Sequence, residues 1–95
     1  MSLPAIIGGV TSTTAETITP LASQTTGAMF NLRVTNGAAV TREIDVKLGA
    51  YFVMKDEVIP ASGTVEITGL AIATETCTVV VDGADVTAVA YGVLL

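Results

Sequence analysis

Acidic pairs, one thiol and four aromatic rings are the groups in this sequence whose types could do chemistry. Asp82-Gly83-Ala84-Asp85 sets two carboxylates close together, and hard cations such as calcium take carboxylate oxygens. The stretch lacks the regularly spaced acids of a D-x-D-x-D-G loop. Asp and Gly suit tight turns, and a turn is the expectation here. Asp56 and Glu57 are adjacent, so on a strand they point to opposite faces and cannot work as an acid–base pair. The Lys55-Asp56-Glu57 stretch is expected to form a solvated bend. Cys77 shares its phase with Val79 and Val81 in a run of β-formers, and the nearest base in sequence is Lys55. A reactive thiol needs a cationic neighbour, so Cys77 belongs in the core. Tyr51, Phe52 and Tyr91 are the raw material of a sugar-stacking platform. With four aromatics in all and no tryptophan, packing in a core or an interface is favoured.

The absences exclude more than the acids suggest. There is no histidine, one cysteine and four serines, so neither a Ser-His-Asp or Cys-His pair nor a His/Cys zinc set can be assembled. A lone cysteine forms no disulfide within the chain. No catalytic, cofactor or metal-binding residues are expected, and the reading is of a protein that is not an enzyme. Nine acids against four bases give a net charge of -5 and a pI near 4.2. The bases, Arg33, Arg42, Lys47 and Lys55, are scattered. An acidic surface of this kind repels phosphate backbones and anionic head groups, which disfavours nucleic acid and membrane surfaces as partners. No apolar run approaches the roughly 18 residues of a spanning helix. Met1 to Gly9 lacks the basic start of a secretory signal, and a soluble product made in the cytoplasm is expected.

The elements that position these groups read as all-β. Threonine (15), valine (13) and alanine (13) dominate, and β-branched residues favour pleated surfaces. No segment carries a capped apolar stripe at helical spacing, while Gly and Pro punctuate the chain every dozen residues or so. Strands are expected over Thr17–Ala22, with Pro20 suggesting an edge, and over 28–35, 40–48, 51–59, 63–68, 76–81 and 86–94. Phe30, Leu32 and Val34 share one face, as do Ile44, Val46 and Leu48. These make a single antiparallel β-sandwich or jelly roll of seven to eight short strands.

Asn36-Gly37 is a strong turn signal, yet it fails as a two-residue hairpin. That loop would pair Thr35 with Ala38 and place Phe30 and Leu32 opposite Glu43 and Thr41. The apolar residues on both sides are even-numbered, so either the loop is odd or the two strands lie in different sheets.

Residues 1–14 read as an extended N-terminal arm and 15–95 as the sandwich, with Thr11-Ser12-Thr13-Thr14 as a flexible connector and Gly8-Gly9 as a hinge. Leu3, Ile6 and Ile7 are apolar without clean periodicity. They suit either a frayed terminus or an arm docked on a neighbour. Val93, Leu94 and Leu95 form an apolar tail that calls for a paired strand or an interface. These six residues are the candidate contacts. The whole chain has 95 residues and a mean hydropathy of +0.70 with 51% apolar residues. A domain this small buries only about 60–65% of its unfolded surface, so an oligomer or assembly subunit is expected.

With strands and turns in place, the layout resembles small β-sandwich virion proteins of tailed bacteriophages. The matching pieces are the strand Phe30 to Val34 ending in Thr35-Asn36-Gly37, the alternating Val40 to Leu48, Ile59 to Leu70, and Asp85-Val86-Thr87 with Tyr91-Gly92-Val93. One departure is Ala73-Thr74-Glu75-Thr76, where such proteins often carry an Ala-Gly-Asp turn. The resemblance implies a non-enzymatic structural subunit. A head decoration (cement) protein that clamps the major capsid protein comes first, and a tail, neck or fibre-base accessory second. Decoration proteins of this sort are commonly trimers, made in the host cytoplasm and carried in the virion. An Ig-like or carbohydrate-recognition module is the alternative of another class.

Overall fold

The computed structural model describes residues 4–95. Eight strands follow in chain order: β1 (Ala5–Thr11), β2 (Glu16–Leu21), β3 (Ala28–Asn36), β4 (Arg42–Leu48), β5 (Tyr51–Ile59), β6 (Thr64–Ile72), β7 (Cys77–Val81) and β8 (Val86–Leu94). They build two antiparallel sheets of four, in the orders β1-β8-β3-β6 and β2-β7-β4-β5, here sheets A and B. Only β4 and β5 are consecutive neighbours. Every other connection crosses between the sheets, which makes the sandwich a jelly roll. Among the described residues there is no helix, and so none long and apolar enough to cross a membrane.

The period-2 patterns decide which faces meet. Phe30, Leu32 and Val34 of β3, Ile44 and Val46 of β4, Val79 and Val81 of β7, and Val86, Ala88 and Ala90 of β8 are all buried in one core between the sheets. Cys77 lies in the same core. The parity argument resolves in favour of two sheets. β3 belongs to sheet A and β4 to sheet B, so both apolar faces turn inward without a register slip. The β4–β5 hairpin closes where Leu48 pairs with Tyr51 across Gly49-Ala50, with Gly49 at φ +59° supplying the left-handed turn residue.

Three local expectations change. First, the chain from Ala5 onward is not a free arm. Ala5–Thr11 is an edge strand paired along β8, and a bulge between Ile6 and Gly8 breaks the alternation that sequence inspection looks for. Gly8 does not act as a hinge there. It packs so closely on the Pro20 carbonyl of β2 that a Cβ could not be accommodated, which brings the two sheets together along that side. Second, the Thr11–Thr14 connector is pinned at Ser12. Its hydroxyl donates to the Gly83 carbonyl (2.8 Å) and accepts from the Val86 N–H (3.0 Å), while its backbone bonds Val86 and Asp85. Third, the solvated bend expected at Lys55-Asp56-Glu57 within the 51–59 strand takes a definite form. It is a β-bulge inside β5, with Asp56 at φ 53° and its N–H donated to Asp45 Oδ1 at 2.7 Å.

Asn36 is fully buried where β3 leaves sheet A. Its carboxamide nitrogen donates to the carbonyls of Val40, Ile59 and Pro60 (2.8, 3.0 and 3.2 Å), and its Oδ1 accepts the Ala38 N–H at 2.9 Å. Removing the amide leaves several buried backbone groups unpaired, each costing about 1–3 kcal/mol. Asn36→Ala is therefore expected to lower the unfolding free energy by about 3 kcal/mol in denaturant titrations. Asn36→Asp, which keeps the acceptor but turns a carboxylate onto three carbonyls, is expected to cost more.

Candidate interaction surface

The outward face of sheet A is set by register. β8 turns Val89, Tyr91 and Val93 outward, because Val86, Ala88, Ala90 and Gly92 point in. Ile6 of β1 pairs with Tyr91 on one side, and Asn31 of β3 pairs with it on the other. One row further along, Met29 lies between Val93 and Ala71. The result is an apolar patch centred on Tyr91, with Ile6 70%, Met29 58% and Tyr91 50% exposed. Along its border Arg33 meets Glu66 at 3.4 Å, a solvent-exposed pair of small energetic weight. Ile6, Asn31, Arg33, Glu66, Val89 and Tyr91 line a depression of about 400 Å³.

The six sequence-selected contacts separate on this frame. Leu3 lies outside the described residues. Ile6 and Val93 sit on the patch, contributed by neighbouring strands. Ile7 falls at the bulge and is half-buried against the core. Leu94 and Leu95 are exposed at the end of β8, where the Leu95 N–H bonds the Gly27 carbonyl at 2.9 Å and the Thr26 hydroxyl donates to the Leu95 carbonyl. The N-terminal lead and the C-terminal tail, 85 positions apart at Ile6 and Tyr91, thus meet on one face. Met29 is the residue that inspection of the sequence passes over. Its signal is visible in β3, where it is the one apolar side chain among the outward Asn31, Arg33 and Thr35.

The aromatics do not converge. Tyr91 lies on the outer face of sheet A, whereas Tyr51 and Phe52 lie on the edge strand β5 of sheet B. Phe52 is clamped there by the ammonium groups of Lys47 and Lys55, each 5.1 Å from the ring centroid. The Asp82–Asp85 stretch connects β7 to β8, and loops from elsewhere bind its carbonyls: Ser12 at Gly83, and Arg42 Nε at Ala84 (3.1 Å).

A comparison with known protein families gives no match, and no curated protein matches either. Among solved structures, an exo-β-1,3-galactanase from Phanerochaete chrysosporium, determined with galactose, is similar at 11% identity with a TM-score of 0.44. The likeness covers 94% of this chain and 27% of that one, so this chain spans about a quarter of the galactanase's length.

Burial pushes the Cys77 thiol up to about 11. At pH 8 it is both protonated and enclosed, and thiolate reagents are expected to leave the folded protein untouched while titrating one thiol after unfolding. Reaction of the native protein at the unfolded rate would place Cys77 outside the core.

Proposed function

We propose that this chain is a non-enzymatic structural subunit of a tailed-phage particle, a capsid decoration (cement) protein that docks through the outer face of sheet A and stabilises the head. The observation that carries the reading is the apolar patch around Tyr91, which gathers side chains from both ends of the chain onto one exposed sheet face. Contiguous exposed apolar surface of this kind marks association sites, and an aromatic flanked by aliphatic side chains is the usual anchor of such contacts. The shape of the scaffold supports the same reading. β5, an exposed edge, carries two register shifts and the charges Lys55, Asp56 and Glu57, devices that discourage strand addition and leave the sheet faces for docking. The partners in this proposal are the major capsid protein and other copies of this chain, with a trimer as the state expected from the resemblance.

Carbohydrate recognition is the second reading. It is favoured by the depression at Tyr91, where a half-exposed ring stands beside the hydrogen-bonding groups of Asn31, Arg33 and Glu66.

The test is cosedimentation of the purified protein with undecorated tailed-phage heads. Ile6→Lys and Tyr91→Lys together are expected to weaken binding by roughly a hundredfold, while thermal melting stays near wild type because both side chains are exposed. Undiminished binding by the folded double variant would contradict the proposal. Binding to tails but not heads would move the subunit to the tail, neck or fibre base, and retention on immobilised glycans with no particle binding would favour the second reading. Deleting residues 1–9 is a poorer test, because it strips most of β1 from β8.

A further inference from the structure

The outer face of sheet B carries charges that are sorted along its strands. Along β4 the outward side chains run Glu43, Asp45, Lys47, acid at one end and base at the other, over about 13 Å at strand rise. At the acidic end, Glu43, Asp45 and Asp82 surround a depression of about 240 Å³ floored in part by Val80. At the basic end, Lys47 and Lys55 stand on either side of Phe52. Among the described residues Arg33–Glu66 is the single ion pair, so none of these sheet B charges is held in an ion pair by its own chain, although the Arg42 side chain lies close by, over Gly83 and bonded to the Ala84 carbonyl. The acids crowd one another. The Glu43 carboxyl is held above its ordinary value by desolvation and then by the charge and hydrogen bond of Asp56, with Asp82 and Asp45 adding to it.

We propose that sheet B is a self-pairing face: two copies meet across a two-fold axis lying in the interface, so that Lys47 and Lys55 of each enter the acidic depression of the other. The pattern is self-complementary in the way an isologous contact requires, since a half-turn about an axis crossing β4 near Val46 brings acid over base at both ends. Phe52, half exposed beside Lys47, and Val58, whose strand partner is Glu43, supply apolar surface alongside the charges at either end. Other occupants fit less well. A polyanion would meet the acids, and a free cation would leave the lysine clamp unused. The pairing goes beyond the virion reading and does not depend on it.

Charge exchange tests it. Sedimentation of the wild type is expected to show a concentration-dependent dimer. Lys47→Glu with Lys55→Glu, or Glu43→Lys with Asp82→Lys, should each raise the dimer dissociation constant at least tenfold. Mixing the two variants should restore pairing as a heterodimer, because each then offers the charge that the other lacks. A wild type with no even-numbered association at high concentration, variants that pair as before, or a mixture that stays apart would each overturn the proposal. A second measurement needs no variant. Carbodiimide coupling of mixed ¹⁴N and ¹⁵N protein is expected to give mixed-isotope links from Lys47 or Lys55 to Glu43, Asp45 or Asp82. Links within single chains alone would refute the contact. Loss of particle binding by the sheet A variant, with this pairing intact, separates the two proposals.

Discussion

The crossing at Asn36 is the constraint on which the rest of the structure depends. β3 and β4 both carry their apolar residues at even positions, so a two-residue turn at Asn36-Gly37 cannot fold one back on the other, and the chain carries them into opposite sheets instead. A chain that leaves a sheet at a buried point strands backbone groups away from water. Here one carboxamide satisfies them, tying the loop after β3 to the end of β5. The backbone of the same corner bonds Gly63 and Asp85. Ser12, the other buried polar residue, does the matching work for the β1–β2 and β7–β8 connections. Two small side chains therefore hold together loops that lie far apart in sequence, and no buried side-chain nitrogen or oxygen among the described residues lacks a partner. The apolar layers supply the driving force, while these two residues pair the buried polar groups of the loops that join the sheets.

Much of this was legible in the sequence wherever period 2 ran undisturbed. The alternation in β3 and β4, and the phase that Cys77 shares with Val79 and Val81 in β7, name the core face correctly, and parity narrows the β3–β4 connection to an odd loop or a change of sheet, of which the fold takes the second. What escapes is what breaks the period or acts at a distance. β1 hides because its bulge and its two glycines erase the alternation, and the need for Gly8 appears only when Pro20 is brought against it. The Asp56 bulge shows in the sequence only as a solvated bend within the strand, because a charged triplet carries no sign of the register shift against β4. Ser12 reads as linker because its partners lie more than 70 residues away. The candidate surface follows the same rule. Ile6 and the C-terminal tail stand out as unexplained apolar residues, but only the β1–β8 register shows that Ile6 lies beside Tyr91.

Sheet A presents Ile6, Met29, Tyr91 and Val93 together, and sheet B presents sorted charges around a clamped phenylalanine. The β5 edge, which would otherwise invite strand addition, is blunted by bulges and charge.

The two tyrosines allow the central claim to be tested within one molecule, because Tyr91 marks the apolar face of sheet A and Tyr51, 80% exposed, marks the β5 edge. The decisive measurement is nitration of both rings, quantified by peptide mass spectrometry, in the free protein and on the particle. The account predicts that assembly protects Tyr91 and leaves Tyr51 as reactive as before. Equal reactivity of Tyr91 in both states, or protection of Tyr51 instead, would contradict it.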